Sequence, residues 1–217
     1  HCHDGNESDE IQKGLYPMKI DHFASKAAVY EQNPARVDNV ENIANAILNT
    51  ISINKSMHIM DFGSGTGLLL ERIAPHVAKI SAVDVSIAMN AQLRAKAGSL
   101  GCEIEIIEID LEKSDLNVKF DGIISSMTMH HIQNIDAMFV KFHAMLKDGG
   151  FIALADLDKE DGSFHTENTG VHHFGFDRDA FAKSAAAAQF RNIEISSASA
   201  IQKTYGNFPV FLLTAVR

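Results

Sequence analysis

Residues 61–67 read Asp-Phe-Gly-Ser-Gly-Thr-Gly. Glycine at every second position permits positive φ and lets a ligand approach the main chain closely. If such a turn opens a helix, the first N–H groups are unpaired and carry partial positive charge. The turn then cradles an anionic group, a phosphate or a carboxylate. Asp84 follows Gly63 by 21 residues. An acid closing the next strand at that interval can accept hydrogen bonds from both hydroxyls of a ribose. Together these features predict an adenosine-containing cofactor and nothing narrower.

A second set of reactive side chains lies further along. His130-His131 is followed by Glu160, Asp161, His165, His172 and His173. Imidazole titrates near neutrality, so His130, His131 and His165 are candidates for removing a proton from a hydroxyl or a carbon acid. Imidazoles and carboxylates are also metal ligands, but no pair here sits at clear helical or zinc-knuckle spacing. No metal site is expected among them. His1-Cys2-His3 offers three soft ligands at a terminus expected to fray.

The elements that must hold these groups alternate. Met57–Phe62 reads as a strand, residues 63–67 as a tight turn and Leu68–Val77 as a helix. Lys79–Val85 is a second strand, Ser86–Ala97 a second helix, and Cys102–Asp110 and Phe120–Met127 are two more strands. Met138, Phe139, Phe142, Met145 and Leu146 recur at helical spacing, and Gly149-Gly150 is expected to break that helix before a fifth strand, Phe151–Leu157. Such alternation predicts βαβ units and a parallel sheet covered on both faces. A helix over 181–190 then precedes strands at 193–201 and 210–216, whose link is too short for a crossover, so these two should form an antiparallel hairpin. Residues 20–52 read as helical, interrupted at Asn33-Pro34. The 19 residues 158–176 form a loop long enough to suggest a functional one.

Composition bounds the partners. The chain has 217 residues, enough for one domain with a core that needs no staple. Acids outnumber bases, 28 to 19, for a net charge of −9, which disfavours nucleic acid and anionic membranes. No run approaches the ~20 apolar residues of a transmembrane helix, and the polar start predicts no signal peptide. Two cysteines, Cys2 and Cys102, make no disulfide framework and fit a reducing, cytoplasmic compartment; Cys102 is expected to be a buried thiol. A small-molecule substrate is therefore expected, and a homodimer is left open.

Three features narrow the cofactor. The glycines follow G-x-G-x-G, whereas the dinucleotide fingerprint is G-x-G-x-x-G and would need glycine where Leu68 stands. Asp61, two residues before the turn, would repel a pyrophosphate but attract an ammonium or a sulfonium. The antiparallel final strand and the lack of a substrate domain do not suit a dehydrogenase. In these respects the chain resembles the class I S-adenosylmethionine-dependent methyltransferases. The resemblance covers about residues 57–217 and rests on D-F-G-S-G-T-G at 61–67, V-D-V-S at 83–86, I-D-L at 109–111, F-D-G-I-I-S-S-M at 120–127 and L-K-D-G-G at 146–150. H-F-A-S-K-A-A-V-Y at 22–30 resembles the lid helix of that family's small-molecule (type 11/12-like) branch. E-D-G-S-F-H at 160–165 and G-V-H-H at 170–173 resemble a microbial and fungal subgroup of it.

The resemblance implies a Rossmann-like, doubly wound sheet of seven strands, mostly parallel with an antiparallel last strand. It divides the chain into a tail or upstream remnant (1–17), a lid with the first helices (18–56) and the cofactor domain (57–217). S-adenosylmethionine would be the cofactor and S-adenosylhomocysteine the product. Gly63, Ser64, Gly65 and Gly67 would pass under the methionine portion, with Asp61 at its amino group and Ser126 near the transferable methyl. Asp84 would hold the ribose, with Val85 and Met89 beside the adenine, Asp110 at its amino group and the Leu111 backbone at a ring nitrogen. By the position of the loop after the fifth strand and of the helix at 22–30, Tyr30, Glu160, His165, His172 and His173 are expected to face the substrate. An N/D-P-P-Y/F motif for amino methylation is absent after the fourth strand, where Ser125-Ser126-Met127-Thr128 stands. The alternatives are a nicotinamide-dependent oxidoreductase and a non-catalytic S-adenosylmethionine-binding protein.

Overall fold

The computed structural model describes residues 20–167 and 170–217. The terminal segment and its His1-Cys2-His3 triplet lie outside the described residues. Seven strands form one sheet: β1 (His58–Phe62), β2 (Lys79–Asp84), β3 (Glu103–Glu108), β4 (Phe120–Ser126), β5 (Leu146–Leu157), β6 (Arg191–Lys203) and β7 (Gly206–Val216). Their order is β3-β2-β1-β4-β5-β7-β6. β1 to β5 run parallel, and β7 is antiparallel to both β5 and β6. The chain reverses direction in the sheet at β1, between β2 and β4, so a crevice opens at the carboxyl ends of β1 and β4.

Among the described residues five α-helices cover the sheet: α1 (Pro34–Thr50), α2 (Leu68–Ile73), α3 (Ile87–Lys96), α4 (Ile135–Ala144) and α5 (Arg178–Ala187). One core joins α1 and α2 to one face through Ile43, Ile47, Leu70, Ile59 and Ile80. A second, rich in phenylalanine, joins α4 and α5 to the other through Phe139, Phe142, Phe181, Ile123 and Phe211. Each face is therefore apolar, which is why the central strands read as nearly continuous hydrophobic runs. Local chemistry sets the helix starts. Asn33, Ser86, Asn134 and Asp177 each accept a backbone N–H at an N-cap. Asn33-Pro34, read as an interruption, is a cap followed by proline in the first turn, and the residues before it, Ala27–Gln32, form a 3-10 helix.

Three expectations need correction. Gly149-Gly150 does not divide helix from strand: β5 already begins at Leu146 and bulges there, with Leu146 opposite Phe120 and Phe151 opposite Gly122. Strands β6 and β7 are longer than the apolar pattern suggests and meet at Thr204-Tyr205, because the hairpin ladder continues into polar sequence. Cys102 is only partly buried, because it leads into β3 at the sheet edge, where Glu103, Glu105 and Glu108 are exposed. Charges on an edge strand discourage further pairing.

Candidate active site

At the carboxyl end of β1 the chain turns through Gly63, Gly65 and Gly67, all at positive φ (72°, 55° and 91°). Their reasons differ. A Cβ on Gly63 would lie 2.1 Å from Thr128 Oγ1, and one on Gly67 would lie 2.6 Å from Leu93 Cδ1. A Cβ on Gly65 would meet nothing within 4 Å. Gly63 and Gly67 therefore let β4 and α3 close on the turn, and Gly65 keeps its open side clear.

Three acids surround this turn. Asp84, ending β2, accepts from Gly65 N–H at 2.8 Å and, through its other oxygen, from Ser86 N–H at 2.8 Å. Burial raises its pKa, against these two hydrogen bonds. Asp61 is 2 % exposed, and its Oδ2 is buried with no hydrogen-bond partner among the described residues. Burial, with help from the Asp84 charge, pushes its pKa up to about 8. Asp21 in the lid accepts from Ser86 Oγ at 2.9 Å and Ala88 N–H at 3.2 Å, so it caps α3 beside Asp84. Tyr30 belongs to the same side: burial raises its pKa, the nearby Asp84 charge adds to this, and Arg36 stacks 3.8 Å over its ring. The segment before α1 is tied to the glycine turn and to α3 by Glu31, which accepts from Thr66 Oγ1 at 2.9 Å and pairs with Lys96.

Further along the crevice, Val85 (48 % exposed) and Ile87 (66 %) present an apolar edge, while Met89 is buried. Asp110 closes its own turn by accepting from Glu112 N–H at 3.0 Å. Leu111 is buried and its carbonyl accepts from Lys141. Ser64 is buried with an unpartnered hydroxyl, and Ser126 is half-buried at the end of β4. Asn90, which the sequence did not single out, bridges Asp84 O and Glu108 from α3.

The other end of the crevice is assembled after β4. Met127 takes φ 57°, a strained value for a non-glycine residue. It turns the chain into Thr128–His131. Thr128 Oγ1 lies 3.4 Å from Gly63 O, joining this segment to the glycine turn. His130 is 2 % exposed and donates from Nδ1 to Asp156 Oδ1 at 2.7 Å, while its backbone N–H donates to Oδ2 at 3.0 Å. With Nδ1 committed to Asp156, Nε2 is the ring nitrogen left for another partner. Asp156 was missed, although an acid inside the apolar run 151–157 is itself a signal, since a buried carboxylate needs a donor.

His131 and His165 complete a cluster with His130, their ring centroids 4.3 and 4.9 Å from that of His130. Burial, with His130 nearby, holds His131 down to about 3 and His165 to about 4. Both are thus neutral at pH 7. The remaining loop candidates do other things. Glu160 accepts from Gly162 and Phe164 N–H and so shapes the loop, although its Oε1 is buried and unpartnered. His173 donates to Ile132 O at 2.8 Å and packs on Phe176. His172 is exposed, and its backbone N–H donates to His130 O. The Asp158–Arg178 ion pair, at 2.7 Å, closes the loop stem.

Comparisons match this geometry. A family described as "Methyltransferase domain" matches residues 59–150, from β1 into β5. An uncharacterized methyltransferase of Schizosaccharomyces pombe is 26 % identical over 82 % of this chain and 66 % of its own length. The family-model match and this relative support a class I S-adenosylmethionine-dependent methyltransferase. A ubiquinone biosynthesis O-methyltransferase of Nitrobacter winogradskyi is 26 % identical over 66 % of the chain and 57 % of that protein. The chain thus spans 57–66 % of the length of these two relatives. The fold is shared by phosphoethanolamine N-methyltransferase 2 of Haemonchus contortus, solved with S-adenosyl-L-methionine, at TM-score 0.67 and 15 % identity over 93 % of this chain and 61 % of that one. No helix among the described residues is long and apolar enough to cross a membrane.

The crevice fits S-adenosylmethionine, the molecule with which the Haemonchus contortus neighbour was solved. Its methionine portion carries an ammonium, and the glycine turn holds a buried carboxylate oxygen without a donor. Its ribose needs an acceptor at the end of β2, and Asp84 stands there.

Proposed function

We propose that this chain transfers a methyl group from S-adenosylmethionine to a small-molecule acceptor held at the histidine end of the crevice. One observation carries the reading: Asp61 Oδ2, buried and without a donor beside three glycines at positive φ. A cation is the group that such an oxygen lacks, and no pyrophosphate would supply one. The nicotinamide alternative has no feature of the site in its favour.

When bound, the cofactor supplies a methyl on sulfur with a good leaving group already in place. The chain's residues do the rest. Asp61 would hold the ammonium, and Gly65 would let the main chain approach. Asp84 would accept from the ribose hydroxyls. Val85, Ile87 and Met89 would cover the adenine, with Asp110 and the Leu111 backbone at its polar edge. Ser126 and Thr128 would lie on the side of the methyl. His130, oriented by Asp156, holds Nε2 as a base for an acceptor that carries a proton, and His131 and His165 position that acceptor. Phe23, edge-on to His131 at 5.5 Å, excludes water from this end together with the loop 158–176. One relative is named as an O-methyltransferase and one structural neighbour as an N-methyltransferase, which supports an oxygen or nitrogen acceptor.

Two measurements test the proposal. S-adenosylmethionine and S-adenosylhomocysteine should each raise the melting temperature, since a ligand at 100 times its Kd adds ~2.7 kcal/mol. NAD should not. A labelled methyl offered to a panel of small metabolites should appear in one product class. Stabilisation by NAD alone would defeat the reading, and stabilisation by S-adenosylmethionine without turnover would leave a binding protein.

A further inference from the structure

The three histidines form more than a positioning set. One nitrogen from each of His130, His131 and His165 lies within 4.8 Å of the other two. They come from two segments 34 residues apart, the turn after β4 and the loop 158–176. We infer that His130, His131 and His165 bind a divalent transition-metal ion of the zinc type, with a fourth position open towards the acceptor.

The chemistry of the set favours this reading. Three imidazoles with one open position make a recurrent catalytic zinc arrangement. A tetrahedral ion bound at ~2.0–2.1 Å holds its nitrogens ~3.3 Å apart, so the rings need to close by no more than ~1.5 Å. His130 already has the partner that a metal-bound imidazole requires: Asp156 accepts its Nδ1–H at 2.7 Å and so turns Nε2 to the cluster. His165 Nδ1 is buried with no hydrogen-bond partner among the described residues, an unmet need in a polar group. The ring of Phe164, 4.8 Å from His165, and that of Phe23, 5.5 Å from His131, pack edge-on against the half-buried members of the cluster. The two nearest cations are engaged elsewhere: Lys26 pairs with Glu167 at 2.8 Å, and Lys203 donates to Phe164 O at 2.5 Å. Hard oxygen-seeking ions find no carboxylate to ligate, because Asp156 is committed to His130, so magnesium and calcium are disfavoured. An ion here would take an acceptor oxygen or thiolate as its fourth ligand and stabilise the deprotonated form. The inference deepens the methyl-transfer reading and rests on it for the acceptor: an ion on His130 Nε2 would replace that nitrogen as the group that favours the acceptor's deprotonated form.

The test uses the full chain, stripped with a chelator and dialysed against Zn(II) or Co(II), with bound metal read by atomic emission. The wild type should hold about one ion per chain, with the visible bands of four-coordinate Co(II). His165→Ala and His131→Gln should each weaken binding by at least about tenfold and remove those bands, and Asp156→Asn should weaken it by about 10–100-fold as a positioning residue. If these variants do not fold, X-ray absorption of the zinc-loaded wild type decides: three imidazole nitrogens support the site, and a sulfur neighbour, as Cys2 would supply, overturns it. Failure to bind either ion overturns it too, as does undiminished binding in His165→Ala. Stabilisation by S-adenosylmethionine in the stripped protein is read separately, so failure of the metal site is distinct from failure of the cofactor reading.

Discussion

The two ends of the crevice are built in opposite ways. At the cofactor end, seven consecutive residues and one acid after the next strand make the site, and its contacts are largely main chain: Gly65 N–H to Asp84, and Gly63 and Ser64 N–H to Val83 O. At the histidine end, side chains from β5, the turn after β4 and the loop 158–176 meet, with the lid lying over them. The first end needs backbone conformations, which a sequence can spell. The second needs a tertiary arrangement, in which His130, His165 and Asp156 become neighbours only once the sheet and loop are in place. Strain and unpaired polar atoms mark both ends, at Met127, Asp61 and His165, where a binding site departs from packing rules.

The sharpest way to break this comparison is at Asp84. Asp84→Ala should abolish cofactor binding in calorimetry, whereas His165→Ala should leave the Kd within about threefold and lower turnover; equal losses of affinity would erase the distinction between the ends. The glycines come next. Gly63→Val places its side chain into Thr128 and should cost folding as well as binding, read as a lower melting temperature. Gly65→Ala should remain folded, at a strain cost of about 1–2 kcal/mol for left-handed backbone, and lose cofactor affinity about tenfold. A destabilised Gly65→Ala with intact affinity would reverse the roles given to the two positions.

Asp61 gives a pH signature. Its folded pKa, about 8, lies above the unfolded carboxylate value, so the cofactor-free protein binds the proton more tightly when folded. That contribution is complete below pH ~4 and is lost as pH rises through about 8. The melting temperature of the cofactor-free protein should therefore fall across this window. Asp61→Asn should flatten the fall, and it should weaken S-adenosylmethionine about 10–100-fold through loss of a charge-assisted hydrogen bond worth ~1.5–3 kcal/mol. The smallest effect is expected at the lid. Lys26 and Glu167 form an ion pair at the surface, so Glu167→Gln should change turnover by less than about twofold.

Much of this was legible before the structure. The glycine turn, Asp61 and Asp84, the five-strand alternation and the terminal hairpin are local patterns, and local sterics, capping and periodicity fix them. The limits of legibility also have physical causes. Gly149-Gly150 lies within β5 because a bulge absorbs it, and a break signal does not distinguish a bulge from an end. Glu160 and His173, grouped with the substrate by loop position alone, hold the loop's own backbone, because a long loop must satisfy its polar groups internally. Histidine spacing in the chain gave no sign of a metal site, since the nearest approach of His130 and His165 spans separate elements.

By itself the sequence determined the order of strands and helices along the chain, the glycine turn after β1 and the acid at the end of β2, because each depends on residues close in the chain. Only the tertiary structure decided which histidines share a wall, which carboxylate orients them and which glycines are required by a neighbour. Those choices depend on distances between elements, and packing sets such distances after the local pattern has been spent.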